Sequence, residues 1–553
     1  MPLRLPSVSM RTAILSFVFL LSLSRISVAE PPAIKAVSPP GVQRGQQVEL
    51  TLTGKPGTLP LKVEASCEGF VTLTPSEKGD KLTVETSPDC PLGIHWLRFF
   101  NDEGAASLVP LWVGSLPETS ETEPNNSLDE ATTPDPILLP SVINGVLHKG
   151  GEVDTFRIQL RQGETVVASL DAHEGLASPM DSVLQIVDAN GFVVAQNHDD
   201  HGLDPLIHFS ADRDGDYFVR VFAFPSAPNS SIVYAGGADY VYRLTLTNGP
   251  FVTAMVPAIE EASAATFSTS WKLDGEDTSR LNELPGLHHR HRRSKVDLTA
   301  QTLATPAEPL DIPSSVVGVI LKPEESISVP VQLAKGTSIV SKVFARRLDS
   351  LLDPVLTVRD ADGKALKTAD DISKENLDAE LSWKAPADGV FTFEITDRYG
   401  HVGERYFAVL QMEEDLPRFE LSVAEDHFEV PKDKPLEVAV TVNRLAGYKG
   451  EIQVSIPTLP EGITCEPVVS PGDGDTAKKV TLKLDAAPGT TFQGGIQIAG
   501  EDAGNSLKSL ATASLKLSEW STDSVWITAI RPPAAPEKPE EDAEEKAKDK
   551  TEE

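Results

Sequence analysis

The chain has 553 residues, 24% of them charged, and a formal net charge of −33 at pH 7. This acidity argues against nucleic acid as a partner, because phosphate binding needs basic surface patches. Three cysteines without a Cys-x-x-Cys pair give no indication of structural zinc or of redox chemistry. At about 150 residues per domain, the length predicts three or four domains.

Residues 1–29 have the features of a secretory signal peptide. Arg4 and Arg11 precede the apolar run AILSFVFLLSLS, and small residues end the segment just before Glu30. An uncleaved membrane anchor is the alternative, but the run is well below the ~20 residues that a spanning helix needs. We therefore expect an exported protein, periplasmic or extracellular, that starts at Glu30 and has no transmembrane segment once the leader is removed.

Short alternating runs of apolar and polar residues follow the leader, bounded by Gly, Pro, Asp and Asn. Residues 48–53 (VELTLT) and 451–456 (EIQVSI) are typical of half-buried strands. Many such runs, with little helical periodicity, predict an all-β protein. We expect a multidomain string of antiparallel β-sandwiches.

The first expected domain covers residues 30–116. It begins AIKAVSPPGVQRGQQVELTLTG, which we interpret as a strand, a Pro-Pro-Gly turn and a second strand. This resembles the immunoglobulin-like modules of the IPT type. Cys67 and Cys90 lie in this domain and either form a disulfide, which an oxidising compartment permits, or remain thiols. Cys465 is expected to be a buried small side chain.

A long duplication dominates the middle of the chain. Residues 181–200 read DSVLQIVDANGFVVAQNHDD, and from Asp353 the chain reads DPVLTVRDADGKALKTADD. Alternation along these runs places apolar residues on one face of each strand, as expected for a sandwich core. The two copies are assigned to residues 117–249 and 305–416. Residues 250–304 between them are interpreted as a shortened immunoglobulin-like segment with a basic His/Arg loop.

Seven motifs occur in order along the first copy. They are Glu121–Ser127 (ETEPNNS), Asn144-Gly145, Asp154-Thr155-Phe156, Asp181 with Leu184, Asp188–Gly191, Asp199-Asp200 and Gly215-Asp216-Tyr217. With these motifs the copy resembles the bacterial pre-peptidase C-terminal (PPC) domain, a secreted jelly-roll-like sandwich found mostly beside secreted peptidases. The second copy carries the resemblance more weakly.

The resemblance implies a calcium site, because the collagenase relatives in this family bind calcium and collagen. Their calcium lies between the acidic N-terminal segment and an acidic pair that precedes the next strand. Carried over residue by residue, the implied ligands are Glu121, Glu123, Asn125, Asn126 and Asp154. Carboxylate and amide oxygens suit Ca²⁺, which takes six to eight oxygen ligands at ~2.4 Å. A solvated linker turn without a metal is the alternative.

This sequence departs from the family pattern in one place. The companion acid expected three positions before Asp154 is Gly151, which leaves only Glu152 nearby. In the second copy, alignment of Gly145 with Gly318 puts Ile327 where Asp154 stands. A calcium site is therefore expected in the first copy only.

Other motifs favour structural interpretations. Asp188–Gly191 and Asp360–Gly363 suggest calcium loops but lack the later acidic ligands, so hairpin turns are favoured. His198–His201 with Asp204 could bind a metal, although a solvated loop is favoured. The basic island of residues 288–295 is interpreted as an exposed loop, with docking to an acidic surface or proteolytic cleavage as the second interpretation.

Residues 417–530 resemble the immunoglobulin-like modules that accompany sugar-active enzymes, and residues 531–553 form an acidic tail expected to be disordered. No Gly-x-Ser-x-Gly, His-Glu-x-x-His or phosphate-loop motif is present. The sequence therefore predicts a non-catalytic binding or adhesion protein, possible partners being an envelope or extracellular polysaccharide or protein. An accessory component of secreted proteolysis, which would bind a secreted enzyme, is the alternative. A hydrolase with an unrecognised site comes third.

Overall fold

The computed structural model describes residues 29–132, 135–227, 233–256, 267–271, 301–302, 306, 308–374, 376–504, 506–516 and 520–533. The apolar leader, the basic island and the acidic tail beyond residue 533 lie outside the described residues. The regular secondary structure of the described residues consists almost entirely of strands, most of them paired antiparallel, which confirms the predicted all-β, multidomain class. No helix among the described residues has the length and hydropathy that a membrane span requires.

The first sandwich packs the sheet β1-β3-β6-β5 against a sheet in the order β2-β9-β7-β4, with β8 paired to β7. The alternation predicted for residues 48–53 holds in β3, where Leu50 and Leu52 are buried. The strands are β1 (Ala33–Ser38), β2 (Gly41–Gln43), β3 (Gln47–Lys55), β4 (Lys62–Ala65), β5 (Val71–Pro75), β6 (Lys81–Thr86), β7 (Gly93–Asn101), β8 (Gly104–Ala105) and β9 (Val109–Gly114).

The first copy of the duplication follows as a second sandwich. Its sheets run β10-β11-β18-β13-β16 and β12-β17-β14-β15, and only β10 joins its neighbour in parallel. The elements are β10 (Glu118–Ser120), α1 (Leu128–Ala131), β11 (Ser141–Val146), β12 (Asp154–Leu160), β13 (Thr165–Asp171), α2 (His173–Leu176), β14 (Met180–Asp188), β15 (Val193–Asn197), β16 (Leu206–Ser210), β17 (Gly215–Pro225) and β18 (Val241–Thr247).

The second copy repeats this strand order in its sheets β21-β22-β29-β24-β27 and β23-β28-β25-β26, so the duplicated sequence is also a duplicated topology. β21 pairs with β22 as β10 pairs with β11, so it belongs to this copy. The copy therefore begins before the expected boundary at 305. A hairpin of β19 (Phe251–Val256) and β20 (Phe267–Trp271) precedes this copy in the chain. The copy contains β21 (Gln301–Thr302), β22 (Ser314–Val319), β23 (Ile327–Leu333), β24 (Ser338–Phe344), a 3₁₀ turn (Arg346–Leu348), β25 (Pro354–Arg359), β26 (Ala365–Ala369), β27 (Ala379–Lys384), β28 (Gly389–Asp397) and β29 (Phe407–Glu414).

The last sandwich has a large sheet, β34-β36-β32-β30-β39-β38-β33-β35 with β40 on β39, and a small sheet, β31-β41-β37. Cys465 at the end of β34 is half-buried, so the prediction of a buried thiol was wrong; β34 lies at the edge of the large sheet. The elements are β30 (Arg418–Val423), β31 (His427–Glu429), β32 (Leu436–Leu445), β33 (Ile452–Ser455), β34 (Ile463–Cys465), β35 (Val468–Ser470), a 3₁₀ turn (Asp475–Ala477), β36 (Lys479–Ala486), β37 (Thr491–Ile496), β38 (Ala499–Asp502), β39 (Lys508–Ser514), β40 (Ser521–Thr522) and β41 (Val525–Ile530).

The first and last sandwiches contact each other through a buried ion pair. Arg98 on β7 donates to the Asp426 carboxylate at 2.8 Å and to the Ala106 carbonyl at 2.6 Å. Both charged side chains are less than a tenth exposed. The Arg98 guanidinium also lies over the Trp526 ring, at 5.9 Å from its centroid. Each buried charge thus has its counter-charge. The pair joins two sandwiches that are far apart in sequence.

We expect Asp426→Asn to lower the free energy of unfolding by about 3–5 kcal/mol, because it leaves the buried Arg98 guanidinium without its carboxylate counter-charge. Burial alone would raise the pKa of Asp426, but hydrogen bonds from His427 and Arg98 lower it to about 2. A depressed pKa means that the stabilisation is present above the unfolded value of 3.8 and is lost as pH falls towards 2. Denaturant titrations at several pH values measure both effects.

The matched control is Asp102→Asn, which removes an exposed ion pair with Lys62 on the same sandwich. Exposed pairs contribute roughly 0–1 kcal/mol. Equal losses in the two variants would contradict the importance assigned to the buried pair.

Candidate functional site

Backbone hydrogen bonds hold the segment that follows β10 over the start of β12. The Glu121 N–H donates to the Asn144 carbonyl at 2.9 Å, which continues the pairing of β10 with β11. The Thr155 N–H donates to the Asn125 carbonyl, also at 2.9 Å. Asp154, the first residue of β12, is thereby covered by the acidic segment that precedes it by about thirty positions in the chain.

Carboxylates converge at this point, and we call Glu121, Glu123, Asn125, Glu152 and Asp154 the acidic cluster. Oxygen atoms of Glu123, Glu152 and Asp154 lie within 4.8 Å of one another. Glu121 and Glu123 approach a nitrogen of His148 within the same limit. The Asp154 side chain is completely buried, and those of Glu152 and Asn125 are nearly so. Glu121 is half-buried and Glu123 is exposed, so the cluster extends from the buried Asp154 to the surface.

Tyr242 on β18 lies between two of these carboxylates. Its hydroxyl oxygen is 2.5 Å from Asp154 Oδ2 and 3.0 Å from Glu121 Oε2. A phenol has one proton, so it can donate to only one of the two at a time. Asp154 Oδ1 and Asn125 Oδ1 are buried without a hydrogen-bond donor. Two oxygen atoms of the cluster therefore lack the partner that buried polar atoms normally have.

The electrostatics have one dominant cause, which is burial. Desolvation, followed by the charge of Glu121, raises the pKa of Asp154 to about 9. Desolvation also raises the pKa of Glu123. A group with such a pKa is protonated at neutral pH unless a cation replaces the proton. Carboxylate and amide oxygens form the donor set of a hard cation, so the residues present fit Ca²⁺.

The structure brings four of the five sequence-predicted residues together: Glu121, Glu123, Asn125 and Asp154. The fifth, Asn126, instead donates its amide N–H to Glu123 Oε2 at 3.3 Å. Glu152, noted in the sequence only as a neighbour, contributes a buried carboxylate that accepts a hydrogen bond from the Lys149 N–H. Tyr242 was missed altogether, since only the pairing of β11 with β18 places it there.

The second copy has apolar residues at the same two positions. Ile327 pairs with Ile395 as Asp154 pairs with Val221, and Ala408 faces Gly318 as Tyr242 faces Gly145. In the described part of this copy, no three metal-ligating side chains converge. The alignment of Asp154 with Ile327 that the sequence suggested is thus also a structural equivalence.

The histidine-rich loop of the first copy makes contacts with the second copy. Asp200 accepts two hydrogen bonds from Arg405, at 2.7 and 2.8 Å, and His201 Nδ1 lies 2.6 Å from Asp349. Asp204 accepts from four backbone N–H groups at the start of α2. Asp378 has the corresponding role in the second copy, where it accepts from Ala345 and Arg346.

The Asp-x-x-Gly segments are hairpin turns, as predicted. Asp188 Oδ1 accepts from the N–H groups of Asn190 and Phe192, and Asp360 Oδ1 accepts from those of Asp362 and Lys364. These carboxylates close the turns between β14 and β15 and between β25 and β26.

No family model matches the chain. Over 172 residues it is 30% identical to a probable subtilase-type serine protease of Deinococcus radiodurans, a match that covers 30% of this chain and 22% of the protease. The pre-peptidase C-terminal domain of a Bacillus anthracis collagenase is 16% identical; 24% of this chain and 97% of that domain align, with a TM-score of 0.16. Fibronectin(III)-like modules of Clostridium thermocellum CbhA are 9% identical over 42% of this chain and 94% of theirs, with a TM-score of 0.14.

We expect Asp154→Asn to stabilise the metal-free protein in alkaline solution. The Asp154 pKa is raised from 3.8 to about 9, so folding is most favourable below pH 4 and loses stability as pH rises towards 9. The neutral amide removes that loss, which amounts to at most about 1.4 kcal/mol per pH unit. Unfolding in urea with a chelator, at pH 5 and pH 8, measures the difference.

Asp129→Asn is the matched control, because Asp129 is an exposed acid close to the cluster in sequence. It should leave the pH dependence unchanged. If Asp154→Asn also left it unchanged, the enclosed carboxylate would not be the cause.

Proposed function

We propose that this chain is an exported, non-catalytic binding protein whose first repeat is a PPC-like module stabilised by Ca²⁺. The observation that carries the proposal is the acidic cluster, in which two buried oxygens have no hydrogen-bond donor and four carboxylates lie together, with the exposed Lys149 ammonium 3.9 Å from Glu152. Ca²⁺ would coordinate the two oxygens and balance the remaining negative charge. The partners of the protein would be envelope or extracellular polymers, either polysaccharide or protein. They would bind to sheet faces and interstrand loops.

The choice of cation follows from the donor set. Glu121, Glu123, Glu152 and Asp154 offer carboxylate oxygens and Asn125 offers an amide oxygen, all of them hard donors. Ca²⁺ accepts irregular sets of six to eight such donors, whereas Mg²⁺ demands near-octahedral geometry and retains several waters. The mixture of buried and exposed side chains in the cluster therefore favours Ca²⁺.

The cation would hold the connection between the first sandwich and the first repeat. Glu118, three residues before Glu121, forms a buried ion pair with Arg243 at 2.5 Å. The Arg243 guanidinium lies 5.3 Å from the ring centroid of Trp112 in the first sandwich. Calcium at the acidic cluster would thus fix the short segment that joins the two sandwiches and the relative orientation of their binding surfaces.

Isothermal titration of the chelator-treated protein with Ca²⁺ tests the ligand set. We expect Glu152→Gln to lower the affinity at least about tenfold, equivalent to about 1.4 kcal/mol, because it removes a buried anionic donor. Asn126→Ala should have a smaller effect, since the Asn126 amide is directed at Glu123. Equal, tight calcium binding by wild type and both Glu152→Gln and Asp154→Asn would overturn the proposal.

Co-sedimentation of residues 30–553 with cellulose, chitin and fibrillar collagen, in calcium and in chelator, tests the binding role. We expect retention on at least one polymer, weakened by the chelator, with no soluble sugar or peptide released. Release of soluble product that is lost on a single Ser or His replacement would identify a hydrolase instead.

An accessory role in secreted proteolysis is the second candidate, favoured by the 172-residue match to a probable subtilase-type serine protease. In this case the protein would bind a secreted subtilase and lengthen its active lifetime without hydrolysing anything itself. Adding the purified protein to such an enzyme, with bovine serum albumin as the control, separates the two candidates. An unchanged half-life of the protease argues for the polymer-binding role.

A further inference from the structure

A second group of metal-ligating side chains lies inside the first sandwich. Cys67 follows β4, Cys90 precedes β7, and His95 is the third residue of β7. The two sulfur atoms and a ring nitrogen of His95 lie within 4.8 Å of one another. We call these three residues the thiol cluster. None of them belongs to the acidic cluster in the first repeat.

Strand alternation explains why His95 points inward. Its neighbours Ile94 and Trp96 pack with Trp112 and Trp520 on one side of β7. Successive side chains of a strand point to opposite faces, so His95 lies on the side of Leu97 and Phe99. That side is the core that also contains Cys67 and Cys90. All three side chains of the thiol cluster are more than nine-tenths buried.

The hydrogen bond of His95 fixes its tautomer. Nε2 lies 2.7 Å from the carbonyl oxygen of Pro91. A carbonyl only accepts, so Nε2 carries the proton and the lone pair of the neutral ring is on Nδ1. Histidines that bind metals almost always donate their other ring N–H to a carbonyl or carboxylate in this way. The neutral imidazole can therefore bind a cation only through Nδ1.

We propose that Cys67, Cys90 and His95 bind one thiophilic d¹⁰ cation, Zn²⁺ or Cu⁺, as a structural site of the first sandwich. Thiolate and imidazole ligands select such cations over Ca²⁺, so the two clusters would take different metals. On binding, the two thiols release their protons to solvent and no electron is transferred. Two thiolates balance the charge of Zn²⁺, whereas a site with only three protein ligands suits Cu⁺.

The position of the cluster in the fold makes metal binding part of folding. Both cysteines are thiols in the structure, with no disulfide between them. A cation enclosed by residues of the core enters as the core forms, and its binding energy then adds to the stability of the first sandwich.

The test uses residues 30–553, reduced and unfolded in chelator, then refolded with one equivalent of Zn²⁺, Cu⁺ or Co²⁺. We expect one Zn²⁺ or Cu⁺ per chain to survive desalting, which also identifies the cation. Co²⁺ should give the near-ultraviolet thiolate-to-metal charge-transfer band that carboxylate ligands of the acidic cluster cannot produce. Cys67→Ser and Cys90→Ser should each abolish that band.

Cys465→Ser is the matched control, because Cys465 lies in the last sandwich and should leave both metal and band unchanged. The charge-transfer spectrum of the wild-type protein tests the proposal even if a variant fails to fold. Two results would overturn the proposal. One is that the refolded, reduced protein retains no metal. The other is that protein purified after export from its host has a Cys67–Cys90 disulfide, seen as a mass lower by two hydrogens.

Discussion

The completely buried carboxylate of Asp154 is the constraint on which the organisation of the first repeat depends. It begins β12, so the register of the sheet, and not a flexible loop, encloses it beside Glu121 and Tyr242. A buried anion needs a proton, a hydrogen-bond donor or a cation, and one phenol proton cannot serve two carboxylates. The segment that covers the start of β12 is itself acidic. Either a cation balances these carboxylates or Asp154 keeps its proton.

The second copy meets the same constraint with apolar residues. Ile327 and Ala408 occupy the positions of Asp154 and Tyr242, and Ile327 is packed into the core against other apolar side chains. The backbone cap is present in both copies, since Asp378 accepts from N–H groups at the start of a short helical turn as Asp204 does in the first copy. The two copies thus share this carboxylate, while the carboxylates that favour a cation lie in the first copy.

Much of this architecture could be predicted from the sequence, because strand alternation and duplication are local signals. Leu184 and Ile186 lie in the predicted core, and both repeats share one strand order. The rest depends on partners distant in sequence. Tyr242 lies 88 positions beyond Asp154, and the loop at His201 looked solvated because nothing nearby in sequence indicates Asp349. His95 is hidden in a strand whose nine residues are all buried, where no polar alternation marks it.

Different contacts hold the two junctions of the first repeat, one with the first sandwich and one with the second copy. The acidic cluster begins one residue after β10, and β10 also carries Glu118, whose ion pair with Arg243 is packed beneath Trp112 of the first sandwich. Contact with the second copy uses Asp200 and Arg405, which belong to other loops. A cation at the acidic cluster would therefore stiffen the junction with the first sandwich directly, whereas the junction between the repeats uses ion pairs of other residues.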